Sequence, residues 1–187
     1  LGFTGITYVL EPVAAAHFYA QGLTRDAIIL VGDFGGGTSD FSVLRFNFRG
    51  VGRSEGLFDN GPGELADAAT ALDWLQAYNA DAQTCWIAGV SFGAWIAMQL
   101  LMRRPELEGF ISVAPPANLY DFTFLAPCPS SGLMVNGAKD RVVPTESVRG
   151  LVDRLKTQKG IVIDHSTVPD ANHFFEGRMD GLMEVVD

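Results

Sequence analysis

The residue best suited to carry out chemistry is a serine with a glycine two positions before it and another two positions after it. Ser91 lies in the GVSFG motif at 89–93, after a β-rich run at 85–90 and before a helical pattern. This order predicts a sharp strand-to-helix turn that exposes the serine hydroxyl at a sheet edge. At the start of that helix, the N–H of Phe92 would face a developing oxyanion. The motif therefore predicts a nucleophilic serine, and a plain glycine-rich turn is the alternative.

A serine hydroxyl needs a general base to become a good nucleophile, and the chain has three histidines. His17 lies in an alanine-rich helical stretch, and His165 lies inside a β-rich run, where a packed or solvent-facing role is expected. His173 follows the last β-rich run, in a loop of the kind that carries catalytic residues at sheet edges. We predict His173 as the base, with a helix-capping or surface histidine as the alternative.

An acidic residue should complete the group, in the chain order Ser, Asp, His. Asp140 lies after a β-rich run and before a helical stretch, so it fits that order. Its carboxylate would orient the imidazole and stabilise the imidazolium. The alternative is a turn aspartate paired with Lys139 or Arg141. Asp170 is a rival acid, but it lies too near His173 in sequence for the expected order.

The elements that must position these residues alternate along the chain. Apolar runs that alternate with amphipathic helices predict an α/β fold, with a mostly parallel sheet and helices on both faces. The β-rich runs lie at 27–34, 43–48, 85–90, 109–114, 132–137 and 161–168, and the helical stretches lie at 11–21, 63–79, 92–103, 145–158 and 174–186.

Composition limits the classes of function. The chain has 187 residues, of which 48% are hydrophobic, and this predicts one globular domain. The net charge of −9 excludes nucleic acid and anionic membranes as expected partners. No apolar run is long enough for a membrane span, and no signal peptide is evident. Cys85 and Cys128 have no metal-binding spacing, so we expect free thiols and a cytoplasmic protein.

Together these motifs resemble the α/β-hydrolase superfamily, and more narrowly the small lidless hydrolases related to the dienelactone hydrolases. The resemblance covers residues 44–187 and implies a truncated α/β-hydrolase fold, an acyl-enzyme mechanism on small acyl esters, and no cofactor. Six motifs carry it: RFNFRGVGRSEG (45–56), GELADAATALDWL (63–75), AGVSFGA (88–94), SVAPP (112–116), NGAKDRVVP (136–144) and ANHFF (171–175).

The loops that bear these motifs also suggest a small pocket for the acyl substrate. Four aromatic residues would line it, unless they belong to the core: Phe58, Trp95, Tyr120 and Phe174. Arg49 and Arg53 are expected to form ion pairs that hold the loop before the first helix of the hydrolase part. Binding of an acidic substrate by these arginines is the alternative.

The beginning of the chain has a different resemblance. Residues 3–46 resemble the actin-like ATPase domain of heat-shock chaperones, through YVLEPVAAA (8–16) and VGDFGGGTSDF (31–41). The chain therefore looks like a hybrid, a foreign segment at 1–43 joined to a hydrolase core at 44–187 in one domain. We expect no ATP binding because only one phosphate loop of that family is present, so a nucleotide-binding fragment is a remote alternative.

The glycine run at 35–37 allows two interpretations. An N–H of Phe34 or Gly35 would supply a second oxyanion donor if the preceding strand were parallel to its neighbours. However, about a dozen residues separate this strand from the next, which is near the minimum for a parallel crossover. In the chaperone family that this segment resembles, the same residues form an antiparallel hairpin, so we expect an N-terminal helix followed by a β-hairpin. Loss of one oxyanion donor costs on the order of 100- to 1000-fold in turnover, so a weak enzyme or an inactive folded hybrid is the alternative.

The helix that normally packs beside these strands in the hydrolases is expected to be missing or replaced by residues 11–21. Its absence would expose apolar surface and favour a homodimer.

Overall fold

One mixed sheet organises the molecule. The computed structural model describes residues 42–82 and 84–186, and the backbone of residues 7–8 and 27–32. The described strands are β1 (Thr7–Tyr8), β2 (Ala27–Gly32), β3 (Ser42–Asn47), β4 (Cys85–Val90), β5 (Gly109–Val113), β6 (Ser131–Gly137) and β7 (Ile163–Val168). The described helices are α1 (Pro62–Tyr78), α2 (Phe92–Leu101), α3 (Thr145–Lys156) and α4 (Met179–Val186).

The strands lie in the order β1-β3-β2-β4-β5-β6-β7. The pairs β4–β5, β5–β6 and β6–β7 are parallel, whereas β2 is antiparallel to both β3 and β4. Strands β3 to β7 therefore run in one direction, and their carboxyl ends share one edge, which we call the site edge. The predicted α/β fold with a mostly parallel sheet is confirmed.

Strands β2 and β3 form the expected antiparallel pair. Their register runs from Ala27 opposite Asn47 to Gly32 opposite Ser42. Strand β2 also inserts beside β4, where Gly32 lies opposite Cys85. The N-terminal segment thus joins the sheet, but β2 runs against its neighbours. The predicted helix at 11–21 lies outside the described residues.

Helices cover both faces of the sheet. Successive side chains on a strand point to opposite faces, so each face carries apolar side chains that a helix buries. On one face, a large cluster packs beneath α1, α2 and α3. It includes Ile87, Phe110, Met134 and Ile163 from the strands. On the other face, a smaller cluster around Val135 packs against α4. Each large apolar side chain buried in this way contributes about 1.5–3 kcal/mol to stability.

Most predicted boundaries lie within two residues of the observed ones, but α4 begins five residues later than predicted. The Asn172 Oδ1 atom accepts the backbone N–H groups of Phe174 and Glu176, which forms a tight turn in place of a helical one. Phe175 and Gly177 then have φ angles of 54° and 66°, which a right-handed helix does not allow. None of the helices in the described part of the chain is long and apolar enough to cross a membrane.

Candidate active site

Ser91 lies on a strained turn between β4 and α2 at the site edge. Its φ and ψ angles are 52° and −122°, a combination that non-glycine residues rarely adopt. The turn is held from β5, because the Ser91 N–H donates to the Val113 carbonyl over 2.9 Å. A side chain at Gly89 would collide with the backbone of Gly93 and Ala94. Glycine at position 89 is therefore required by the close packing of this turn.

The structure brings the three predicted residues into one hydrogen-bonded chain. The distance between His173 Nε2 and Ser91 Oγ is 3.0 Å. On the other side of the ring, His173 Nδ1 lies 2.7 Å from Asp140 Oδ2. The side chain of Asp140 is fully buried and that of His173 is 6% exposed. This arrangement can take a proton from the serine hydroxyl and stabilise the resulting imidazolium.

The Asp140 carboxylate is fixed from both sides. While Oδ2 faces His173, Oδ1 accepts the backbone N–H groups of Val142 and Val143, each over 2.8 Å. These bonds form a turn in which the carboxylate cannot rotate without losing two hydrogen bonds. These hydrogen bonds also offset the free-energy cost of burying the carboxylate.

The rival acid, Asp170, has different partners. Its Oδ1 atom pairs with Lys139 Nζ at 2.7 Å, and its Oδ2 atom lies 3.3 Å from Arg178 Nη2. The hydrogen bond from Lys139, followed by the charges of Lys139 and Arg178, lowers the pKa of Asp170. The ion pair with Lys139 that was the alternative for Asp140 thus belongs to Asp170.

Two loops carry the acid and the base, and they contact each other directly. The acid loop (137–144) follows β6 and the base loop (169–178) follows β7. The Lys139 N–H donates to the Ala171 carbonyl over 2.8 Å. Gly137 lies so close to the base loop that a side chain there would collide with its carbonyl groups. The relative position of acid and base is therefore set by backbone contacts.

The start of α2 carries Phe92, the predicted first oxyanion donor. Phe92 is the first residue of this helix, so its N–H has no carbonyl acceptor within the helix. Phe34 and Gly35, the predicted second donors, lie outside the described residues. Gly32, at the end of the strand before them, lies opposite Cys85, about 17 Å along β4 from its site-edge end. Their role stays a prediction, and the direction of β2 weighs against it.

Three of the four predicted pocket aromatics surround Phe92. We call this group the aromatic shelf: Phe58, Phe92, Trp95 and Tyr120. The rings of Trp95 and Tyr120 stack at 4.5 Å, and the Phe58 and Tyr120 rings lie 5.5 and 5.6 Å from that of Phe92. The Trp95 indole N–H donates to the Asp121 carbonyl over 2.9 Å, and Phe58 is 55% exposed. The shelf is thus a fixed apolar surface that begins one residue from Ser91.

Phe174, the fourth predicted aromatic, lies on the base side. Its ring packs edge-to-face against the His173 imidazole at a centroid distance of 5.1 Å, and it is 48% exposed. The predicted pocket residues therefore divide into a shelf beside the serine and a single ring beside the histidine.

Sequence reasoning missed a buried carboxylate that shapes the shelf. Glu64 is fully buried, and its two oxygens accept the backbone N–H groups of Asp59 and Gly61, each over 2.7 Å. A glutamate at the third position of a helix is a signal for such a cap, and could have identified it. Gly61 in turn packs against the Trp95 ring, where a side chain would collide.

The two arginines of the same loop differ in their contacts. Arg49 binds Asp67 on α1 through two side-chain hydrogen bonds of 3.0 and 2.7 Å, as predicted for a residue that holds the loop. Arg53 is exposed to solvent.

Two other kinds of site, a metal centre and a cysteine nucleophile, are not supported by the side chains that the structure describes. Among them, no group of three or more His, Cys, Asp or Glu side chains could hold a metal ion. Cys85 and Cys128 are free and buried. Burial raises the pKa of Cys85 to about 11 and also raises that of Cys128, so neither is a ready thiolate nucleophile.

Comparison with known proteins assigns the chain to a family. Residues 39–137 match the family described as X-Pro dipeptidyl-peptidase (S15 family). The chain belongs to the S15 family. Within the solved structures, a proposed α/β hydrolase of unknown function from Agrobacterium tumefaciens is 54% identical, with a TM-score of 0.75 over 92% of this chain and 72% of that one. An α/β serine hydrolase without a lid from Xanthomonas campestris is 32% identical, with a TM-score of 0.69 over 78% of this chain and 63% of that one.

A further relative is an uncharacterized protein from Rickettsia prowazekii. It is 50% identical over 151 residues, which are 79% of this chain and 63% of the relative. The S15 chain described here thus spans less than two thirds of that relative's length. These matches confirm the α/β-hydrolase part of the sequence interpretation. They bring no support for an actin-like ATPase in residues 3–46, which stays a prediction.

Proposed function

We propose that the protein is a serine hydrolase that cleaves small acyl esters through an acyl-enzyme. The observation that carries the proposal is the continuous hydrogen-bonded chain from Ser91 through His173 to the buried Asp140. Such a chain is the arrangement that nucleophilic activation of a serine requires.

The first half of the reaction forms the acyl-enzyme. Ser91 Oγ attacks the ester carbonyl carbon while His173 Nε2 takes the hydroxyl proton. The Asp140 carboxylate stabilises the imidazolium through its hydrogen bond with Nδ1. The Phe92 N–H binds the oxyanion. When the tetrahedral intermediate collapses, the bond to the alcohol breaks and His173 gives its proton to the alcohol oxygen.

The second half releases the acid. A water molecule gives a proton to His173 Nε2 and attacks the acyl carbon, so that a second oxyanion forms at the same site. Collapse then breaks the bond to Ser91 Oγ, which recovers its proton from His173. The cycle consumes one ester and one water and yields one acid and one alcohol, and no cofactor is needed.

The surroundings of Ser91 support a small, neutral, apolar acyl group. The aromatic shelf offers ring faces and edges, which bind apolar groups by burial. Arg49, a cation in the neighbouring loop, is occupied by Asp67. An acidic substrate would have to compete with this ion pair in order to bind Arg49.

Family membership favours a second candidate, the cleavage of a peptide bond after an X-Pro dipeptide. The chemistry at Ser91 would be the same, except that His173 would protonate an amine in place of an alcohol. The two candidates differ in leaving group, and a prolyl 4-nitroanilide beside a 4-nitrophenyl ester separates them.

The test is the hydrolysis of 4-nitrophenyl butyrate by the protein and by its Ser91→Ala variant. Circular dichroism and size-exclusion chromatography would show that both samples are folded to the same degree, and Gly-Pro-4-nitroanilide would be assayed in parallel. We expect ester turnover that disappears in the variant. Equal background rates with both substrates would reject the hydrolase proposal and leave an inactive folded hybrid.

A further inference from the structure

A buried polar network lies directly beneath the acid loop. At its centre is Asn136 on β6, whose side chain is fully buried. Its Oδ1 atom faces His165 Nε2 at 2.8 Å and accepts the Thr167 hydroxyl over 3.1 Å, both from β7. Its Nδ2 group donates to Thr145 Oγ1 over 3.0 Å and to the Gly137 carbonyl over 3.3 Å. The amide thus ties together β6, β7 and the start of α3.

Three donors converge on the Gly137 carbonyl, at the base of the acid loop. They are the Asn136 amide, the Thr145 hydroxyl at 3.3 Å, and the backbone N–H of Asp140 at 3.2 Å. Because the last of these donors belongs to the catalytic acid itself, the orientation of this carbonyl sets where the Asp140 turn begins.

The position of Gly137 also affects the loop that carries His173. A side-chain carbon placed on Gly137 would lie 2.7 Å from the Asn172 carbonyl oxygen, so the two loops are in close contact here. A shift of Gly137 would therefore displace the backbone that carries His173 as well as the turn that carries Asp140.

The charge state of the network is simple. Burial, followed by the charges of Lys156 and Arg149, lowers the pKa of His165, whereas Asp153 acts in the opposite sense. His165 is thus neutral at neutral and alkaline pH, and its ring can donate Nε2–H to Asn136. The network holds no net charge next to Asp140, so its effect on the triad must be geometric.

We propose that Asn136 and Thr145 are positioning residues, which act through the Gly137 carbonyl to hold Asp140 in line with His173. This inference rests on the proposed function for its kinetic effect, but the positioning itself is a property of the folded protein. Deleting either donor to Gly137 loosens the acid loop, whereas deleting a contact at the far end of the network does not.

A matched set of three variants tests this inference. Thr145→Val removes the hydroxyl and keeps the shape, and Thr145→Ser keeps the hydroxyl. Thr167→Val removes an equivalent hydroxyl from the same amide, at the β7 end and away from Gly137. Asn136→Ala serves as a second disruptive variant. Urea unfolding would establish that each sample is folded under assay conditions.

The kinetic readout is the separation of kcat from KM with 4-nitrophenyl butyrate. In Thr145→Val we expect kcat to fall about 10- to 100-fold with little change in KM, the size of effect that misplaced catalytic groups produce. Asn136→Ala should behave in the same way, while Thr145→Ser and Thr167→Val should retain kcat within about threefold. An equal loss in Thr145→Val and Thr167→Val would overturn the inference, since a general loss of stability would then explain both.

A spectroscopic readout keeps the inference separate from the proposed function. A ring Nδ1–H bonded to a buried carboxylate gives a strongly downfield proton resonance, which His173→Gln would assign by its loss. We expect this resonance to weaken or disappear in Thr145→Val and to persist in Thr145→Ser and Thr167→Val. Persistence at full intensity in Thr145→Val would reject the positioning role, even if the parent protein had no turnover.

Discussion

The Asp140 carboxylate is the most constrained residue of the site. Both of its oxygens have partners, the side chain is fully buried, and the backbone bonds that hold Oδ1 come from its own turn. Asp170 is half-exposed and pairs with two cations. The two carboxylates thus differ in burial and in partners, and only Asp140 can stabilise an imidazolium at His173.

This difference predicts opposite results for two isosteric substitutions. Asp140→Asn should reduce kcat about 10⁴-fold, because the amide favours the wrong tautomer of His173. Asp170→Asn should change kcat by no more than about threefold, because its ion pairs are exposed to solvent. Steady-state assays with 4-nitrophenyl butyrate would measure both. Similar losses in the two variants would show that the acid assignment is mistaken.

At the scale of elements, the loops after successive strands divide the site into two sides. The shelf lies beside the serine and the start of α2, and Phe174 lies beside the base. In the proposed mechanism His173 protonates the leaving group, so the alcohol would lie on the His173 side of the acyl carbon. We therefore expect the acyl group to contact the shelf and the alcohol to contact Phe174.

Two aromatic substitutions test this division. With the unaltered protein, kcat/KM should rise about fourfold for each methylene added to a short acyl chain, from about 0.8 kcal/mol per buried methylene. Trp95→Ala should flatten this dependence, whereas Phe174→Ala should leave it intact and alter the preference among alcohols. Assays with acetate, propionate and butyrate esters of 4-nitrophenol and of phenol would show the pattern. A uniform loss across all esters in Trp95→Ala would contradict an acyl role for the shelf.

The loop that carries Phe58 depends on the ion pair between Arg49 and Asp67. Burial raises the pKa of Asp67, but the hydrogen bonds and charge of Arg49 outweigh it, so the pKa is lowered overall. A carboxyl group whose pKa is lower in the folded protein stabilises the fold at pH values above its unfolded-state pKa of about 3.9. This contribution is lost as the pH falls through the folded-state pKa.

Asp67→Asn should therefore destabilise the protein at neutral pH and matter less in acid. The pair is about one quarter to one third exposed, so we expect a loss of about 0.5–1 kcal/mol at pH 7. Urea unfolding from pH 7 down to about pH 3 would show the two curves converge below about pH 4. A stability difference that stayed constant over this range would mean that the carboxylate charge is irrelevant. Asp73→Asn, at a more exposed pair on the same helix, is the control.

Much of this organisation could be predicted from the sequence because local signals and the fold agree. The GVSFG motif, the β-rich runs and the position of His173 each follow from residue types over a few positions. Two features could not be predicted in this way. The start of α4 is displaced by a side-chain turn at Asn172, and Asn136 gains its partners only when β6, β7 and α3 pack together.

At the scale of the whole molecule, the direction of β2 is the main departure from a regular parallel sheet. It lies between β3 and β4 but runs against both, so its carboxyl end points away from the site edge. The antiparallel pairing of β2 with β3 was predicted as a β-hairpin, whereas the insertion of β2 beside β4 was not predicted. We propose that residues 1–43, of which β1 and β2 are described and pair within the sheet, are a foreign segment joined to a hydrolase core at 44–187 in one domain.

This arrangement predicts that the glycine run contributes little to catalysis. Gly35→Ala should change kcat/KM by less than about twofold, because β2 delivers the chain to the edge opposite Ser91. If Gly35 supplied an oxyanion donor that the substitution displaced, the loss would be on the order of 100-fold or more. Side-by-side assays with 4-nitrophenyl butyrate distinguish the two, and the larger loss would restore the oxyanion interpretation.

If Ser91 is a nucleophile activated by His173, a reagent that labels active serines will react with it whether or not the protein turns over an ester. The protein would be treated with an alkyl fluorophosphonate and analysed by intact-mass and peptide mass spectrometry, beside Ser91→Ala and His173→Gln. We predict one phosphonyl group per chain, located on Ser91, absent from Ser91→Ala and formed much more slowly in His173→Gln. An unlabelled protein, a label on another residue, or equal labelling of His173→Gln would contradict the account.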